Sequence, residues 1–229
     1  MIFRPLIGAD LSGSLGGITA SHNKGGPYFR VRAIPVNPNT PQQQTIRTAT
    51  ADLTVRWNDS LTTVQREAWD TYAANVPLPN SIGESGNISG LAMYVRSNVS
   101  RIQAALARQD DAPIIFNLGS FTAPVINSIT GSTDILELAF VPSDPWDDED
   151  GSAMLVYTSR PQNPTINFFK GPYRFAAAIL GDSGTPPTTP ASIALAFGAT
   201  AGQRVFIRVT VTRSDGRLSA DFRNFDAVV

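Results

Sequence analysis

The chain has 229 residues, of which 16% are charged and 42% hydrophobic, with one histidine, no cysteine and a formal net charge of −1. The absence of cysteine excludes disulfides, thiolate nucleophiles and Cys-based metal sites, and the lone His22 excludes a His-rich metal cage within one subunit. The charged share lies below the ~25% usual for globular domains, and Ser, Thr, Asn and Gln fill the gap, which suits a β-rich protein that faces other proteins more than open solvent.

Residues 1–40 read as an extended arm. Gly8, Gly13, Gly16, Gly17, Gly25 and Gly26 with Pro5, Pro27, Pro35 and Pro38 exclude a helix, because Gly loses the most backbone entropy there and Pro removes a donor. Met1–Ile7 lacks the long apolar core of a secretory signal, and no stretch reaches the ~18 apolar residues of a membrane span, so the product is expected to be made in the cytosol and not exported. Gly17–Ser21 and Tyr28–Ile34 carry short β signals on either side of the turn residues Asn23-Lys24-Gly25-Gly26, which predicts a hairpin. Alternation puts Phe29, Val31 and Ala33 on one face and Arg30, Arg32 and Ile34 on the other. A lone hairpin is marginal in water, so this one is expected to dock.

Thr40 is a good N-cap with Pro41 at the first helical position, and Ile46, Ala49, Leu53 and Trp57 recur at helical spacing, which predicts a helix over 41–57. Thr62 with Gln65 three residues on is a capping box for a second helix ending near Asn75, before Val76-Pro77-Leu78-Pro79. Ser89 caps a third helix to about Arg108. Trp57, Trp69 and Tyr72 are expected to form a small helical core.

At Gln109-Asp110-Asp111-Ala112-Pro113 the period changes from 3.6 to 2. Seven strands are predicted: Val125–Thr130, Asp134–Val141, Ala153–Ser159, Tyr173–Leu180, Ser192–Phe197, Arg204–Thr212 and Leu218–Val228, with Leu136, Leu138, Phe140, Val205, Ile207, Val209 and Val211 facing inward. The expected architecture is an α+β multidomain chain. It comprises an extended N-terminal arm with a β-hairpin (1–40), a three-helix domain (41–109), a linker (110–124) and an immunoglobulin or fibronectin III-like β-sandwich (125–229), the fibronectin-like variant fitting better because there is no Cys pair. Residues 1–109 carry ten basic and six acidic side chains and residues 110–229 eight and thirteen, so the two parts have opposite sign, which suits head-to-tail contact or ordinary charge scatter.

No catalytic set emerges, and no enzyme, cofactor or metal site is expected. Gly13-Ser14-Leu15-Gly16-Gly17 lacks the Gly-Lys-Ser/Thr ending of a phosphate loop and no strong helix follows it. The acidic loop Asp144-Pro145-Trp146-Asp147-Asp148-Glu149-Asp150-Gly151 departs from EF-hand spacing and reads as a solvated connection rather than a calcium site. Lys24, Tyr28, Phe29, Arg30 and Arg32 form a basic, aromatic strip, read as partner-binding residues of the arm in preference to a nucleic-acid strip, since the count is small and the chain is acidic. Trp146, Phe168 and Phe169 are surface-contact candidates; with Tyr157 they would serve a carbohydrate-binding module.

The runs Leu11-Ser12-Gly13-Ser14-Leu15-Gly16-Gly17-Ile18, His22-Asn23-Lys24-Gly25-Gly26-Pro27-Tyr28-Phe29-Arg30 and Asn37-Pro38-Asn39-Thr40-Pro41-Gln42-Gln43 resemble a family of uncharacterised proteins from tailed bacteriophages and prophage-like regions. The segments around Trp57, Leu61-Thr62 and Ala68-Trp69, and from Ser159 to Tyr173, look like the same family, so the resemblance covers most of the chain. It implies a virion structural protein assembled in the host cytoplasm. The expected role is capsid decoration or minor capsid protein, with the major capsid protein or other virion proteins as partners and further copies of the chain as neighbours. A tail or neck component is the alternative, and no membrane is involved.

Overall fold

The computed structural model describes residues 12–23, 26–34, 36–79 and 84–229. Among these residues the fold is α+β, with three helices, several antiparallel sheets and most of the strands in the C-terminal half. It divides into two compact units, Met1–Pro41 and Gln42–Val229.

In the first unit, β1 (Gly13–Leu15), β2 (Ile18–Asn23) and β3 (Gly26–Val31) form an antiparallel sheet in that order. The expected hairpin is β2–β3, and its turn residues Lys24 and Gly25 lie outside the described residues. The strand β1 is an addition. Leu15 pairs with Ile18, so Gly16-Gly17 is a two-residue connection, and Gly16 takes the left-handed φ of 58° that such hairpins require.

Pro41 opens α1 (Pro41–Asp59), and the second unit carries the rest of that helix with α2 (Thr63–Asn75), β4 (Leu78–Pro79), β5 (Ser85–Gly86) and α3 (Gly90–Gln103). Two caps act as expected: the Thr62 side chain accepts from Gln65 N while the Gln65 side chain accepts from Thr62 N, and Ser89 Oγ accepts from Ala92 N. Leu53, Leu61, Trp69, Tyr72, Met93 and Tyr94 fill the helical core. Their polar ends all find partners in the segment that follows α3. Trp69 Nε1 donates to Asp110 O at 2.9 Å, Tyr72 Oη to Asn117 O at 2.7 Å and Tyr94 Oη to Asp110 Oδ1 at 3.1 Å. The stretch 110–124 is thus bonded to the helices along its first part.

Seven further strands follow: β6 (Val125–Thr130), β7 (Ile135–Ala139), β8 (Ala153–Thr158), β9 (Arg174–Leu180), β10 (Ala191–Ala194), β11 (Arg204–Thr212) and β12 (Phe222–Ala227). They form a three-stranded sheet, β10-β7-β6, and a four-stranded sheet, β12-β11-β8-β9. One apolar core draws Ile126, Ile129, Leu136 and Leu138 from the first sheet and Met154, Val156, Ile207 and Val209 from the second, and all seven residues expected to face inward are buried. On the other side of the four-stranded sheet, Leu155 and Tyr157 pack with Ala104, just beyond α3. Arg101, buried on α3, donates to Ala107 O at 2.7 Å, Gly151 O at 3.0 Å and Arg213 O at 2.6 Å, so one guanidinium ties the helix to two β connections.

Candidate partner-binding surfaces

Strand alternation sorts the arm residues onto two faces. In the β2–β3 register Ile18 stands opposite Val31 and Ala20 opposite Phe29, while Thr19 stands opposite Arg30 and Ser21 opposite Tyr28. Phe29 and Tyr28 therefore point to opposite sides of the sheet, and the basic Arg30 shares the side of Tyr28. Leu15 joins the apolar side through its pairing with Ile18. Leu15 is 89% exposed, Ile18 51%, Val31 83% and Phe29 36%. A concavity of about 410 Å³ lies over this side, bordered by Gly13, Leu15, Ile18, Ala20 and Phe29. Arg30 and Arg32 are exposed, and the Arg32 backbone N–H donates to Gly17 O at 2.9 Å, continuing the ladder past β3. Of the five residues expected to contact a partner, Tyr28, Phe29 and Arg30 fall on β3, Arg32 directly follows it and Lys24 lies outside the described residues. Leu15 and Ile18 were not among the expected contacts, since Gly13–Gly17 was weighed only against a phosphate loop. The signal was there: two glycines flanked by Leu and Ile are a hairpin turn with cross-strand apolar neighbours.

The aromatic candidates of the C-terminal half separate. Phe168 is 75% exposed. Phe169 is half-buried, its ring stacked on Phe206 at 5.5 Å and edge-on to Tyr173 at 5.3 Å. Trp146 is instead fully buried, with its ring 5.1 Å from Phe140, so it is a core residue and not a surface contact. The connection after β7 folds inward because Ser152 Oγ donates to Trp146 O and because Gly181 has no side chain: a Cβ there would stand 2.1 Å from Trp146 O. Tyr157 is buried too, its hydroxyl donating to Gln103 Oε1 at 2.7 Å.

Three carboxylates of the acidic loop bind residues beyond it. Asp144 accepts from Thr122 N and Oγ1, Glu149 pairs with Arg213 and accepts from Ser214, and Asp150 accepts from Ser183 N. Beside it, Asp182 accepts from Gly184 N and Thr185 N, and these two bonds hold its carboxyl below the usual range. Among the described residues no group of three His, Cys, Asp or Glu side chains is placed to hold a metal ion. Among them, too, no helix is long and apolar enough to cross a membrane.

No family model, no curated protein and no solved structure matches this chain.

Proposed function

We propose that this chain is a non-enzymatic virion structural protein, a capsid decoration or minor capsid component, that grips a neighbouring protein through its N-terminal sheet. The observation that carries the reading is the exposed apolar side of β1–β3. Leu15, Ile18 and Val31 are large side chains facing water on a sheet of three short strands, which cannot bury them by itself. Apposition against a partner would remove that surface from water, at roughly 25 cal/mol per Å² of apolar area before the costs of association. Arg30 and Arg32 add positive charge to the same unit, which suits acidic groups of a neighbour. The likeness of the arm and helical segments to tailed-phage proteins gives the neighbour its class, other virion proteins.

The strand order supports a fibronectin-like sandwich as the C-terminal scaffold. The first, second and fifth of the seven strands make one sheet and the third, fourth, sixth and seventh the other. An antibody constant domain keeps its fourth strand with the first, second and fifth. The carbohydrate-binding alternative is weakened, since Trp146 and Tyr157 are buried and offer a glycan no ring face. A tail or neck component would use the same arm chemistry.

Deleting residues 1–36 is expected to abolish binding to purified particles, read by co-sedimentation, while the far-UV circular dichroism of the remainder persists. The double variant Leu15→Asp/Val31→Asp should do the same without shortening the chain. Binding of both proteins at full occupancy would overturn the reading, and the part of the particle that is occupied, head or tail, distinguishes decoration from a neck role.

A further inference from the structure

Two arginines on α3 lack an ion pair among the described residues, and their surroundings differ. Arg101 is sealed in and gives three N–H groups to carbonyls. Arg96 gives two of its five N–H groups, to Leu218 O and Ser219 O, each at 3.1 Å, and lines a cleft of about 490 Å³ with Leu78, Leu118, Asp221 and Arg223. Burial lowers the Arg96 pKa, the sign of a charge held away from water without a full complement of partners. Asp221 is the one carboxylate lining the cleft among the described residues, and it is already shared: Arg223 Nη2 lies 3.2 Å from it and Arg208 Nη1 3.8 Å. Arg208 Nε is buried without a hydrogen-bond partner, its guanidinium lying over the Tyr157 ring at 4.1 Å. Arg208 and Arg223 thus share one carboxylate, and Arg96, with no ion pair of its own among the described residues, lines the same cleft beside the apolar walls Leu78, Pro79 and Leu118.

We propose that this cleft binds the carboxylate side chain of an acidic peptide segment on a partner protein, with Arg96 and Arg223 as its donors and Leu78 and Leu118 taking an apolar neighbour in the peptide. Guanidinium forks match carboxylate geometry, and the half-apolar lining fits a peptide that alternates acidic and apolar residues. A nucleic-acid strand is the poorer match. Phosphate tracking calls for an extended basic stripe, whereas this cleft sets two arginines beside apolar walls. The site uses none of the arm residues and stands whether or not the arm binds a capsid.

The test is fluorescence anisotropy of the full chain with a labelled hexapeptide of alternating Leu and Glu, its Leu/Gln counterpart, and an oligothymidylate of equal charge. Saturable binding of the Leu/Glu peptide alone is expected, weakened about tenfold by Arg223→Gln and tightened severalfold by Asp221→Asn, which removes the competing carboxylate. Both changes fall on exposed side chains, so the fold should tolerate them, and a thermal melt verifies that. Binding indifferent to Arg223→Gln, equal binding of the Leu/Gln peptide, no binding at millimolar peptide, or an oligothymidylate that binds more tightly than the peptide would each overturn the proposal.

Discussion

Asp110 and Asp147 show how company decides what a carboxylate does for a fold. Asp110 accepts from Tyr94 Oη at 3.1 Å and pairs with Arg56 and Arg108, and the Arg56 hydrogen bond is the largest cause of its lowered pKa. Asp147 is 1% exposed, and its Oδ1 has no hydrogen-bond partner; burial, with Asp148 and Asp144 nearby, pushes its pKa up. The linkage signs are opposite. Asp110 contributes stability that is complete above its ordinary pKa of 3.8 and is lost as pH falls through its depressed folded value. For Asp147 the folded state favours the protonated form, so stability falls as pH rises from 3.8 through its raised folded value. Asp110→Asn should therefore destabilise at pH 7 by about 1 kcal/mol, the screened worth of a partly exposed pair, and Asp147→Asn should stabilise there. In urea melts both differences should shrink toward zero as pH drops below 3.8. A penalty for Asp147→Asn at neutral pH would contradict this account. The sequence did not reveal that Asp147 is buried, because five acidic residues between 144 and 150 read as a solvated loop. What turns Trp146 and Asp147 inward is the bare backbone of Gly181, a contact distant in sequence.

At the level of elements, local signals were legible and long-range ones were not. The Thr62/Gln65 box and the Ser89 cap placed two helix starts, and the alternation of Val205, Ile207, Val209 and Val211 placed β11 at its observed ends. The third helix, expected to reach about Arg108, stops at Gln103. Its end is a Schellman turn: Ala105 N–H donates to Ile102 O and Leu106 N–H to Arg101 O, with Ala105 at φ 56°. Glycine is the usual residue there, and without it the sequence carries no stop signal. The turn persists because it brings Ala104 and Leu106 onto Leu155 and Tyr157 of the sheet, burial that outweighs the cost of a left-handed alanine. Ala105 is itself exposed, so Ala105→Gly loses no packing. Calorimetry should show the variant more stable by about 0.5–1 kcal/mol, a rise of roughly 1–4 °C in melting temperature. A fall would mean that unfolded-chain entropy outweighs the relief of strain.

For the whole molecule, the change of period near residue 110 marks where helix gives way to strand, yet the interface between the two is built from pairs no window of sequence could reveal. Arg101 reaches Gly151 and Arg213, Gln109 Nε2 reaches Ser214 O at 2.7 Å, Arg96 reaches Leu218 and Ser219, and Arg217 Nη1 donates to Asn117 Oδ1 at 2.7 Å. Separating helices from sheets would strand a buried guanidinium and expose Leu155 and Tyr157, so each part depends on the other to satisfy its own polar groups. Gln42–Val229 should therefore unfold as one cooperative block. In native-state hydrogen exchange the slowest amides of α3, β8 and β11 should share one opening free energy and shift together with urea. The amides of β1–β3, in the other unit and with large apolar side chains in water, should exchange at a lower opening energy and gain protection if the proposed partner covers them. Helical amides that open independently of β8 and β11 would show instead that the shared interface is too weak to couple the two layers.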